Sequence, residues 1–123
     1  TQFPACFSEK LKVLHDGIDT EIYKPNPGAK LKLNGMDLTH ADRLVTYVAR
    51  GMEPYRGFPE FMKALEIVLA QDKSAHAVIV GEDRVAYGKK LPEGESYKQR
   101  AMEECDLDWG RVHFTGLLPG LII

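Results

Sequence analysis

The chain is 123 residues long, less than an average domain of ~150 residues, so it reads as one compact unit or a piece of a longer protein. Hydrophobic residues make up 44% and charged residues 28%, which excludes a disordered chain. Lys and Arg number 16 against 18 Asp and Glu, a net charge of −2 that gives no bulk electrostatic case for nucleic acid or an anionic membrane as partner.

Cys6 and Cys105 make neither a disulfide framework nor a metal motif, and two reduced thiols in a cytosolic protein is the simplest reading. No apolar run approaches the ~20 residues needed to span a bilayer. The opening Thr1-Gln2-Phe3-Pro4 has no signal-peptide pattern and starts as if cut from a longer chain.

Residues 1–28 read as a linker or crossover segment. Lys10-Leu11-Lys12-Val13-Leu14 alternates and predicts a half-exposed strand, with a turn at His15-Asp16-Gly17. Lys24-Pro25-Asn26-Pro27-Gly28 breaks any regular element. Leu31-Lys32-Leu33 and Met36-Asp37-Leu38 are short strand candidates joined by the turn signal Asn34-Gly35.

From Leu44 the pattern is clearer. Leu44-Val45-Thr46-Tyr47-Val48-Ala49 is a near-continuous apolar run and predicts a strand covered on both faces. A loop from Arg50 to Phe58 follows, and Pro59 suits the first helical position. Phe58, Phe61, Met62, Leu65, Val68 and Leu69 make its apolar stripe, and Gln71 to Ser74 ends it. Ala77-Val78-Ile79-Val80-Gly81 is a second buried strand, and Glu82 to Gly94 a polar loop. Ser96 and Gln99 form a capping box for a second helix, whose apolar positions are Tyr97, Ala101, Met102 and Cys105. A third strand spans Val112 to Leu118 and stops at Pro119-Gly120. The apolar tail Gly120-Leu121-Ile122-Ile123 suggests that the chain continues.

The order β-α-β-α-β predicts an α/β fold: a three-layer, Rossmann-like parallel sheet, here an incomplete half of one. Ligands bind outside the carboxyl ends of such strands. Arg50 closes the first strand and Arg56 precedes a helix, so two guanidiniums and a helix N-terminus should converge on one volume suited to a phosphate or diphosphate. The plainer alternative is two solvated arginines, one paired with Glu53. Gly81 either clears space for a ligand or makes a tight turn. No dinucleotide fingerprint and no Walker-type phosphate loop is present. His15, His40, His76 and His113 are scattered and read as structural or surface residues, no cluster has zinc spacing, and Trp109 reads as packing. Glu103-Glu104, Asp106 and Asp108 suit a solvated helix end, and Ser8, Ser74 and Ser96 sit in no nucleophile elbow. A receiver-like domain needs an acidic cluster where Arg50 stands.

Three stretches resemble the C-terminal half of retaining glycosyltransferases of family 4, which have the GT-B architecture. His15-Asp16-Gly17-Ile18-Asp19-Thr20 is similar to the family's N-G-V-D segment between domains. Val48 to Gly57 resembles its V-G-R … K-G loop. Val78-Ile79-Val80-Gly81 with Val112-His113-Phe114-Thr115-Gly116 resembles L-V-I-V-G … V-x-F-L-G. The stretch Arg-Gly-Met-Glu-Pro-Tyr-Arg-Gly-Phe, residues 50–58, looks like a bacterial group 1 subgroup acting on cell-surface polysaccharide or lipopolysaccharide.

The resemblance implies that residues 1–28 cross between domains and that 29–123 begin the nucleotide-sugar-binding domain. It implies that Arg50 and Arg56 hold the donor diphosphate, with Arg56 a fork where the family has a lysine. Gly81 lies near the nucleotide, and backbone at His113, Thr115, Gly116, Leu117 and Leu118 meets the nucleobase. Fixed cations at the departing diphosphate lower the barrier, so a metal-independent hexosyl transfer from a nucleoside diphosphate sugar is implied, with no further cofactor. The family's paired-glutamate motif and acceptor domain are absent from the sequence, so this chain is expected to be an inactive fragment. The parent would take a glycan or lipid-linked acceptor and be cytoplasmic, or peripheral at the inner membrane face. Self-association through open sheet edges is expected, and nucleic acid is not. A non-catalytic α/β module binding a phosphorylated ligand is the alternative.

Overall fold

The computed structural model describes residues 4–33 and 35–119. Asn34 of the expected turn and the tail from Gly120 to Ile123 lie outside the described residues. A 3-10 helix, Ala5–Lys10, opens the chain. Two short strands, β1 (Lys32–Leu33) and β2 (Met36–Asp37), pair antiparallel, with Lys32 and Asp37 in a 3.0 Å ion pair. A parallel sheet follows, made of β3 (Arg43–Gly51), β4 (Ala75–Glu82) and β5 (Val112–Gly116) in that spatial order. Helix α1 (Phe58–Gln71) joins β3 to β4, and α2 (Tyr97–Glu104) precedes β5. No helix among the described residues is long and apolar enough to cross a membrane.

The strand expected at Lys10 to Leu14 does not form. These residues are exposed, with Leu11 at 48%, Val13 at 83% and Leu14 at 93%. Alternation supplies a face, but a strand also needs a neighbouring edge, and this segment pairs with none among the described residues. The turn expected at His15-Asp16-Gly17 falls four residues later. There the Asp19 carboxylate accepts the N–H groups of Glu21 and Ile22 at 2.9 and 3.3 Å.

Helix α1 forms as its periodicity dictates. Gly57, at φ +70°, closes the 3-10 turn Pro54–Arg56 and caps the helix, and Pro59 lies in its first turn. Phe58, Met62, Leu65 and Leu69 are buried, and each such side chain contributes roughly 1.5–3 kcal/mol. Phe61 is half-buried, whereas Val68 lies at the edge of the stripe and is exposed. At the other end of α1 the Arg111 guanidinium donates to the carbonyls of Leu69, Asp72 and Ala75 at 2.9, 2.9 and 3.2 Å, binding helix to strand.

Only half of the capping box at α2 is realised. The Ser96 hydroxyl accepts the Gln99 N–H at 3.1 Å, but the Gln99 side chain donates forward to Glu103 instead of back. Ala101 is buried and Tyr97 and Cys105 pack on the core, while Met102 faces outward. Trp109 also packs against the core.

Among the described residues the two helices cover one face of the sheet, not both as the expected three layers require. Tyr47, Ala75, Ala77, Ile79 and Val112 share a core with residues of both α1 and α2. Strands added in the order β3, β4, β5 by crossovers of one hand put both helices on the same face. The other face is only partly covered, with Leu38, Leu31, Ala41 and Leu118 against Val78 and Val80. On it Leu44 and Val48 are exposed, so β3 is not the doubly buried strand its composition predicts.

Candidate functional site

The carboxyl end of the sheet is assembled by close backbone approaches. A Cβ on Gly81 would collide with the Ala49 carbonyl, and its φ of +147° is strained for any other residue. Strand packing therefore accounts for this glycine without a ligand. A Cβ on Gly51 would lie 2.5 Å from the Arg84 carbonyl, so the loop after β4 lies directly on the end of β3.

Glu53 fastens that loop. It is completely buried, and its Oε2 accepts three backbone N–H groups, from Ala86, Tyr87 and Gly88, at 3.0, 2.9 and 2.9 Å. The Tyr87 N–H above all holds its carboxyl below the usual carboxylate range, against the opposing effect of burial. Its Oε1 is buried without a partner. Burial, reinforced by this carboxylate, pushes the Tyr47 phenol up. The Tyr47 hydroxyl donates to the Arg56 carbonyl at 3.3 Å and its ring meets Phe58 edge-on.

Arg50 and Arg56 lie on the stretch of chain that carries these contacts. Both line one cleft of about 370 Å³, with Val48, Ala49, Val80, Leu117 and Leu118. Neither guanidinium makes an ion pair among the described residues: Glu53 Oε2 is taken by the 86–88 backbone, with the Arg56 charge acting on it only from a distance, and Glu82 pairs with Arg84 at 2.7 Å. The Arg56 guanidinium instead lies 5.8 Å from the Tyr55 ring centre and 5.3 Å from that of Tyr87.

The helix mouth contributes less than expected. The Phe58 N–H is taken by the Glu53 carbonyl at 3.2 Å, Pro59 has none, and the Phe61 N–H goes to Gly57 at 2.8 Å. Of the first four N–H positions, only that of Glu60 has no backbone partner. The positive charge at this edge therefore comes from the two guanidiniums rather than from the helix end.

The remaining expected site residues divide. Leu117 and Leu118 line the cleft. Gly116, at φ +72°, ends β5 two residues earlier than its composition predicts. The Thr115 hydroxyl sits against the Ile79 and Gly116 carbonyls, at 3.3 and 3.0 Å, so its side chain serves the backbone. The His113 ring stacks on His76, with Nε2 3.1 Å from the partner's Nδ1, near the opposite end of the strand. Burial and His76 push its pKa down.

Glu53 and Tyr87 were not legible as site residues. A carboxylate flanked by Met52 and Pro54 was a signal, but its backbone partners lie more than thirty residues away. Among the described residues no group of three or more His, Cys, Asp or Glu is placed to hold a metal ion. The site thus offers two forked cations and an apolar floor, suited to binding an anion and stabilising charge that develops on it. No family model, curated protein or solved structure matches the chain.

Proposed function

We propose that the cleft binds the diphosphate of a nucleoside diphosphate sugar, and that this chain is the donor-binding part of a retaining glycosyltransferase of GT-B architecture. One observation carries the reading: two guanidiniums that make no ion pair among the described residues line the same cleft at the carboxyl edge of a parallel sheet. Arg50 and Arg56 grip the phosphate oxygens, and Leu117 and Leu118 offer an apolar end to the nucleoside. As the sugar–phosphate bond breaks, negative charge grows on the departing diphosphate, and guanidiniums already in place stabilise it without reorganising. The stretch from Arg50 to Phe58 supports cell-surface polysaccharide or lipopolysaccharide synthesis as the setting.

Calorimetry with UDP, GDP and ADP tests this. The reading expects one of them to bind, with Arg50→Ala and Arg56→Ala each weakening it roughly 10-fold or more. Equal binding of inorganic pyrophosphate, with no preference for a base, would instead indicate a phosphate-binding module.

A further inference from the structure

Arg56 has a second neighbourhood outside the cleft. Tyr55 and Tyr87 both lie against its guanidinium, yet neither lines the cleft itself. The two residues are 73% and 60% exposed, and their rings lie 6.1 Å apart between centres, tilted by 48°, an open V and not a closed stack. Exposed aromatic rings usually sit on loops free to move. These do not: Tyr87 hangs from the buried Glu53 carboxylate, and Tyr55 belongs to the 3-10 turn closed by Gly57. Two wet aromatic faces on anchored backbone, beside a cation, form a preorganised platform for a ring with an apolar face.

The order of groups along the sheet edge says which ring. The cleft is lined by Leu117 and Leu118 after β5, Val80 of β4 and Arg50 of β3, with Arg56 supplied by the turn after β3 and, of the two arginines, the one against the tyrosines. With the nucleoside at the apolar end, the phosphate at Arg56 is the distal one, and what it carries meets the tyrosines. We propose that Tyr55 and Tyr87 receive the hexose ring of the donor, stacking on its C–H face while their hydroxyls reach its hydroxyls. This inference rests on the cleft binding a nucleoside diphosphate sugar.

The test compares UDP, ADP and GDP with UDP-glucose, ADP-glucose and GDP-mannose on the same protein. The informative quantity is the ratio of Kd for the diphosphate to Kd for its sugar conjugate, because loosening of Arg56 affects both ligands alike. Replacing both rings, Tyr55→Leu with Tyr87→Leu, should lower that ratio roughly 3- to 10-fold, while the two Tyr→Phe changes keep most of it. A ratio unchanged by loss of both rings, with diphosphate binding intact, overturns the platform alone. No binding of any diphosphate to the unaltered chain overturns the donor-site reading and the platform with it.

Discussion

At the scale of single residues, Glu53 governs the site without touching its cleft. Its carboxylate gathers three N–H groups from a loop more than thirty residues away, and so places Tyr87 against Arg56. Glu53→Ala leaves those donors unpaired. It should lower Tm and open the loop to trypsin at Arg84, Lys89 and Lys90, whereas Glu53→Gln keeps an acceptor oxygen and resists cleavage. The pH dependence has a definite sign. A carboxyl held low in the folded state contributes stability above its ordinary pKa, and that stability is lost as pH falls through the folded value. Glu53→Gln should therefore flatten the acid limb of a Tm-against-pH curve below about pH 5. Arg50 and Arg56 were legible because strand ends and helix starts can be read locally. Glu53 was not, because its partners are set by tertiary folding.

At the scale of elements, the helices follow their sequence closely and the strands less so. Apolar residues at helical spacing made α1 readable to its last turn, and β-branched runs located β3 and β4. Lys10 to Leu14 misled because its alternation matches a strand that lacks a partner, and β5 ended early because Gly116 turns to positive φ. Glycines at strand ends separate by what surrounds them. Gly81→Ala drives a methyl into the Ala49 carbonyl and should cost about 2–4 kcal/mol in urea unfolding. Gly116→Ala meets only open space and should cost about 1 kcal/mol, the strain of its φ alone.

At the scale of the whole molecule, one fact of topology decides most of the shape. Strands added in one direction leave both helices on one side, so the third layer expected from the β-α-β-α-β order is missing from the described residues. The parallel sheet itself was legible; which face would stay open was not, because the sequence pattern does not state the order in which strands join. The same topology carries Arg50 and Arg56 to one edge, where a chain of net charge −2 presents together two cations that make no ion pair among the described residues. Titration of UDP, GDP or ADP into the protein, followed by the arginine Nε–H resonances in ¹H–¹⁵N spectra, tests that convergence most directly. The Arg50 and Arg56 signals are expected to move together, along one binding curve, while Arg111 stays fixed. Movement of only one of the two, or of neither, would contradict it.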